Sequence, residues 1–375
     1  MARDFNALIV TSRPVDTENG FRIGKCTVGV AAVHRPVSIH AKCTAGALGV
    51  TMVTAGIDIG YSNLKVVIGN FSTGPRVMIR PGGACPLESV AQAIQQGRNT
   101  PYLGVTVRDN PWAAAMDPEH CQHWERELTP DFPFSDPYLA LYHAALLQTG
   151  EPYLDRVVTG LPVSQYLNTT LRKSLIERLQ GKHRVQEDRV IEVREVIVLP
   201  QPVGAYLDLV RSGLHLDLIE QGRVVVIDPG FFSVDWVALE RGAIRQSSSG
   251  TSLEAVSRVL ELAAADLAQD TKVNPGIDRL ERALREQRNR ALLGGQQIDI
   301  RPAIGNAAAT AAAQAIKLLQ RNMRSLDIQA DLILLTGGGA TLFYPAIREA
   351  FPNLTIHVPI DPVAANAIGF WYLGV

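Results

Sequence analysis

The residues best suited to chemistry are two aspartates in the same local setting, Ile57-Asp58-Ile59-Gly60-Tyr61 and Ile227-Asp228-Pro229-Gly230-Phe231. Each ends one apolar run and is followed across a glycine turn by another, which reads as strand, tight turn, strand. Glycine lets such a turn expose backbone N–H groups to an anion, and the hydroxyls of Ser62 and Ser233 add donors. The aspartates, Asp58 and Asp228, suit a Mg²⁺ ion held through its retained waters. One Asp-x-Gly turn most often just reverses a chain. The repeat in matching context is the signal, because repeated units imply a duplicated architecture. Two such hairpins facing each other would clamp a triphosphate from both sides. Lys65 either adds positive charge to the first hairpin or is a solvated strand residue.

A third glycine element, Gly337-Gly338-Gly339, follows the apolar run 331–335. The GxGxxG spacing of a dinucleotide site is absent, so a flat surface for adenine and ribose fits better. The bland alternative is a strand-to-helix turn.

Strands are expected over 53–59, 64–68, 155–163, 195–199, 223–228 and 331–335. Helices are expected over 137–148, 164–179, 203–212, 252–268, 278–293, 304–322 and 363–372. Residues 100–137, rich in Pro and aromatics, read as an irregular insertion. These elements suggest a first domain over 52–202 with an insertion at about 75–137. A second follows over 203–360 with a helical insertion at about 255–325, and 361–375 form a C-terminal helix returning to the first. Residues 1–51 lack a sustained period, and Met52 directly precedes the first strong strand, so they are expected to be a dispensable extension or a misassigned start.

With 375 residues, 46% of them hydrophobic, the chain can bury two or three domains. Its 36 basic and 37 acidic residues nearly balance, so nothing global suggests wrapping nucleic acid or an anionic membrane. No apolar stretch is long enough to span a bilayer, and no secretory signal is expected. Cys26, Cys43, Cys85 and Cys121 are scattered without a CxxC pair, so neither a disulfide framework nor a zinc module is expected, and a reducing cytoplasm is the simplest home. His120, Cys121 and His123 lie close together in sequence, as a weak metal candidate or an ordinary loop. Arg279, Arg282, Arg285 and Arg288 recur every three residues, as a solvated face or as a contact for an acidic partner.

In order, the three glycine motifs resemble the phosphate-1, phosphate-2 and adenosine motifs of the actin-like ATPases, most nearly the plasmid-segregation actins of the ParM/StbA type. Val158-Thr-Gly-Leu-Pro-Val163 and Leu199-Pro-Gln-Pro-Val-Gly-Ala-Tyr206 resemble the approach to, and the start of, the connect-1 helix. Asp361-Pro-Val-Ala-Ala-Asn-Ala-Ile-Gly369 resembles connect-2, and the second hairpin is similar to the PRTRC-system protein D subgroup.

The resemblance implies an α/β actin/Hsp70/sugar-kinase fold (ribonuclease H-like, duplicated) of two domains with a nucleotide cleft between. It implies ATP and Mg²⁺ as cofactors, bound by Asp58, Gly60, Tyr61, Ser62, Asn63 and Lys65 and by Asp228, Gly230, Phe231, Phe232, Ser233 and Asp235. Gly337, Gly338 and Gly339 would take the adenosine, Gln201 would orient the attacking water, and 250–256 would approach the nucleoside. Such a protein would polymerise in the bacterial cytoplasm and reach plasmid DNA only through an adaptor, with no membrane contact. Pro229, Phe231 and Phe232 depart from the small residues many relatives carry, which implies slow hydrolysis. A small-molecule kinase and a non-hydrolysing nucleotide scaffold are the competing functions on this fold.

Overall fold

The computed structural model describes residues 9–11, 26–27, 38–40, 42–43, 52–70, 74–91, 101–122, 128–324 and 329–375. In the first 51 residues it describes only short strand pieces, Ile9–Thr11 beside Ser38–His40 and Cys26–Thr27 beside Lys42–Cys43. The expected dispensability of that segment otherwise lies outside the described residues, as does His123.

Two central sheets repeat one topology. The first has the order Gly181–Gln186, Arg189–Pro200, Tyr153–Leu161, Thr54–Ile59, Asn63–Asn70, Gly74–Pro81. The second has the order Thr355–His357, Leu332–Leu335, Arg223–Pro229, Val234–Glu240, Ala243–Ser252. In each, the strand ending at the motif aspartate (Thr54–Ile59 or Arg223–Pro229) is antiparallel to its hairpin partner and parallel to a later strand. The first sheet adds one antiparallel edge strand, Gly181–Gln186. Burial on both faces explains the unbroken apolar runs: Val224 to Ile227 and Leu332 to Leu335 are each at most 2% exposed.

The covering helices are exchanged. Gln201–Ser212 follows the last parallel strand of the first sheet yet packs on Arg223–Pro229 and Val234–Glu240 of the second. Ala365–Gly374 follows the second sheet yet packs on Thr54–Ile59 and Tyr153–Leu161 of the first. These two helices cross in direct contact, and the crossing depends on glycine. A Cβ on Gly369 would lie 1.8 Å from the Gly204 carbonyl oxygen, and one on Gly204 would lie 2.4 Å from that of Asn366. In the second domain, Arg301–Arg324 turns a stripe of buried alanines, Ala303, Ala307, Ala308, Ala311, Ala312 and Ala315, toward Val256–Thr271.

Four expectations are corrected. The helix expected over 278–293 stops at Arg285, and a hairpin follows, Arg290–Leu293 with Gln296–Asp299. Its turn is Gly294-Gly295, with φ of 55° and 81°, the two-residue turn that suits hairpin twist. The helix expected over 164–179 is two, Val163–Tyr166 and Thr169–Leu179, because the Asn168 side chain accepts the N–H groups of Thr170 and Leu171 and starts the second. The insertion is more regular than its composition suggests, with a three-stranded antiparallel sheet of Gly83–Pro86, Asn110–Met116 and Leu103–Val107. That sheet folds the insertion back on itself and joins Cys85 to Cys121 by a disulfide across 36 residues. The expectation of unpaired cysteines is thereby overturned, and Cys121 is removed as a metal thiolate. Among the described residues no cluster of three or more His, Cys, Asp or Glu is arranged for a metal, and no helix is long and apolar enough to cross a membrane.

Gly369→Ala should force the two crossing helices apart and cost about 1–3 kcal/mol, as overpacking of a close-packed contact does. Thermal unfolding checks this; an unchanged melting temperature would contradict the crossing.

Candidate functional site

The two motif hairpins face each other across one cavity of about 750 Å³, within the usual range for a small-molecule site. It opens at the carboxyl ends of the central parallel strands, where ligands of such sheets bind. Both turns close alike: the Gly60 N–H donates to the Asn63 carbonyl at 3.0 Å and the Gly230 N–H to the Ser233 carbonyl at 2.8 Å. Those two N–H groups are therefore spent inside the turns.

Each aspartate receives an amide from the start of an exchanged helix. Gln201, the first residue of Gln201–Ser212, donates through Nε2 to Asp58 Oδ1 at 3.2 Å. Asn366, second in Ala365–Gly374, donates through Nδ2 to Asp228 Oδ2 at 2.7 Å. A helix N-terminus also favours negative charge. The charges are balanced differently on the two sides. Asp58, 3% exposed, pairs with Lys65 Nζ at 3.0 Å. Asp228, 7% exposed, has only neutral Asn366 at hydrogen-bond distance and no ion pair among the described residues. Burial pushes its carboxyl up to about 7, reinforced by the charges of Asp58 and Asp235 and opposed by the Asn366 hydrogen bond. A buried carboxylate short of a counter-charge, opposite a second carboxylate, fits a divalent cation.

Gly337 lies directly beneath Asp228. Its φ is +82°, and a Cβ there would sit 2.0 Å from Asp228 Oδ1. Gly338 faces open space within the cavity wall. Gly339 is outside that wall; it starts helix Ala340–Ala350 and donates its N–H to the Pro229 carbonyl at 2.8 Å. Of the residues named from sequence, Asp58, Gly60, Tyr61, Ser62, Asn63, Lys65, Gln201, Asp228, Gly230, Phe231, Phe232, Ser233, Asp235, Gly337 and Gly338 all line the cavity.

Ser233 and Asp235 are engaged within the protein. Asp235, 2% exposed, accepts the Val163 N–H at 2.8 Å and the hydroxyls of Thr251 and Ser233, each at 2.6 Å. Those bonds tie the second hairpin to the turn that ends strand Tyr153–Leu161 of the first domain. Desolvation raises the Asp235 carboxyl, against the three hydrogen bonds that lower it.

The arginine stripe meets the chain's own carboxylates. Arg285 pairs with Asp117 and Arg282 with Glu119, both across to the insertion of the first domain. Glu281, 5% exposed on the same helix, accepts the Ser62 hydroxyl at 2.5 Å. Arg288 stays local, 2.7 Å from Glu286, and Arg279 donates to the Leu292 carbonyl at 3.1 Å. Sequence reading missed Asn366, Glu281 and Arg285 as cavity residues. A usable signal existed for the last two, an i, i+4 Glu-Arg pair inside the stripe. Val256, at the end of the region expected near the nucleoside, does line the cavity.

Comparison with known proteins agrees with this architecture. Residues 56–204 match the N-terminal domain of actin-like proteins, and residues 226–349 match the C-terminal domain of the archaeal actin homologue MreB-like family. The chain thus carries an actin-like domain in each half, and its fold is the two-domain actin-like one. Among solved structures, the archaeal actin homologue Ta0583 is similar at 20% identity and TM-score 0.67, covering 86% of this chain and 98% of that one. The subunit of a 15-stranded ParM filament from Clostridium botulinum is similar at 18% identity and TM-score 0.69, covering 87% and 99%. The archaeal homologue in complex with ADP is similar at 21% identity and TM-score 0.65, covering 86% and 99%. At these identities the likeness shows the fold. No curated protein matches the sequence.

Because the folded Asp228 carboxyl titrates near 7, well above its unfolded value, the ligand-free protein holds an extra proton between about pH 4 and 7. Stability from this group is therefore fully present below about pH 4 and lost progressively as pH rises from there through about 7. Asp228→Asn, which cannot ionise, should be more stable than wild type at pH 8 by about 1–4 kcal/mol and nearly equal to it at about pH 4. Denaturant unfolding at the two pH values measures the difference. Equal stabilities at pH 8 would contradict the site's electrostatics.

Proposed function

We propose that this chain is a nucleotide-dependent actin-like ATPase that self-associates into filaments and positions plasmid DNA through an adaptor. The observation that carries the nucleotide reading is the pair of matching Asp-x-Gly hairpins, one from each sheet, set against one cavity with an amide from an exchanged helix on each aspartate. Asp58 and Asp228 would hold Mg²⁺ through its waters, Lys65 would offset phosphate charge, and the hairpin turns would embrace the phosphates. Gly338, Val256 and Leu284 form the part of the wall suited to a flat nucleoside. A solved neighbour of the same fold, the archaeal actin homologue, is known in complex with ADP, which supports the cofactor class.

Gln201 suits the water-positioning role. With its Nε2 held by Asp58, its amide oxygen is directed by a fixed group and can accept a hydrogen bond from water. Gln201→Ala should lower phosphate release from ATP about 100-fold while changing ATP affinity far less. Loss of affinity with unchanged turnover would contradict the role.

Filament formation is supported by the likeness to the subunit of a 15-stranded ParM filament and by the two-domain form that a nucleotide can bias. The formal net charge of −1 supports an adaptor in preference to direct DNA wrapping. Sedimentation and negative-stain microscopy with ATP and Mg²⁺ test this. Polymer that appears only with nucleotide is expected; its absence over a broad protein range would overturn the filament reading. ATP consumption stimulated by a small hydroxylated acceptor, without polymer, would indicate a kinase instead.

A further inference from the structure

The tips of the two hairpins touch each other. The Tyr61 ring of the first lies with its centroid 4.8 Å from that of Phe232 of the second. Tyr61 also stacks on Phe132 at 4.2 Å with the planes 24° apart, and its hydroxyl donates to the Thr129 carbonyl. Phe132 in turn meets Tyr138 edge-on at 5.4 Å. Tyr61, Phe132 and Phe232 all belong to the cavity wall, beside Asp58, Lys65 and Asp228. An aromatic cluster is an unexpected lining for the charged end of a cleft. Small, polar turns would leave that end open to an anion. Burial raises the Tyr61 hydroxyl, so the ring is neutral throughout the working pH range.

Rings at this separation are in van der Waals contact, so no phosphoryl group can lie between the tips while the contact holds. We propose that the Tyr61–Phe232 contact, buttressed by Phe132, occupies the space between the hairpins that a third phosphate needs, making the cleft selective for a nucleoside diphosphate over the triphosphate. Binding a triphosphate then requires Tyr61 to leave Phe232. The ring's ties to Thr129 and Phe132 carry that displacement into the segment before helix Asp136–Thr149. The number of phosphates is thus read as the position of an aromatic side chain. The ligand would replace a direct contact between domains by one made through its own phosphate.

This inference rests on the nucleotide reading above, and one experiment separates the two. Titration calorimetry on the full chain, with Mg²⁺, compares ADP with a non-hydrolysable ATP analogue for wild type, Tyr61→Ser, Phe232→Leu and Phe232→Tyr. Wild type should prefer ADP by about tenfold, the scale of one lost aromatic contact. Tyr61→Ser should bring the ratio of the two dissociation constants toward one. Phe232→Leu, which keeps apolar bulk for folding, should lower the ratio several-fold, and Phe232→Tyr should preserve it. Equal affinities in wild type, or a ratio unmoved in both Tyr61→Ser and Phe232→Leu, would overturn the proposal while leaving nucleotide binding standing. Failure of wild type to bind either nucleotide would overturn both.

Discussion

Two carboxylates withdrawn from water on opposite walls of one cavity repel each other, and the rest of the structure answers that repulsion. Asp58 is met by the Lys65 ammonium and the Gln201 amide. Asp228 is met by the neutral Asn366 amide and holds its proton up to about pH 7. Removing such groups from water is costly unless they are paired or coordinate a cation. A fold that nonetheless places both at the ends of its most buried strands has reserved that location for a charged ligand.

The exchange of the two connecting helices makes the arrangement possible. Each helix follows one sheet, covers the other, and brings an amide at its N-terminal end to an aspartate. Their crossing at Gly204 and Gly369 is tight enough that the two amides are fixed relative to each other. The two domains also meet through Arg282 with Glu119 and Arg285 with Asp117. Those pairs involve partly exposed groups, so each contributes little alone.

What sequence made legible was whatever is local and repeated. Asp58 and Asp228 announced themselves because each ends an apolar strand and begins a glycine turn, and the topology repeats along with the motif. Gly337 was legible as part of a glycine turn, although the reason for it, the 2.0 Å approach to Asp228, is a tertiary fact. Partners distant in the chain were not legible. Asp235 lines the cavity, but its bond to the Val163 N–H of the other domain, 72 residues away, is a tertiary fact that the motif does not encode. The arginine stripe showed its period but not that two of its members would meet Asp117 and Glu119. The Cys85–Cys121 pairing depends on how a small sheet folds back, which spacing does not encode. The hairpin after Arg285 was missed for a different reason: a run of charged residues with helical spacing outweighed the short Gly294-Gly295 turn beyond it.

The central claim is that one nucleotide is gripped by both hairpins at once, so neither alone suffices. Ligand bound to the native state raises the melting temperature by mass action. Thermal unfolding of wild type, Asp58→Ala and Asp228→Ala with and without Mg²⁺ and ADP tests the claim most directly. A nucleotide-dependent rise in wild type that disappears in each single variant is the predicted result. A rise that survives undiminished in either variant would contradict a two-sided clamp.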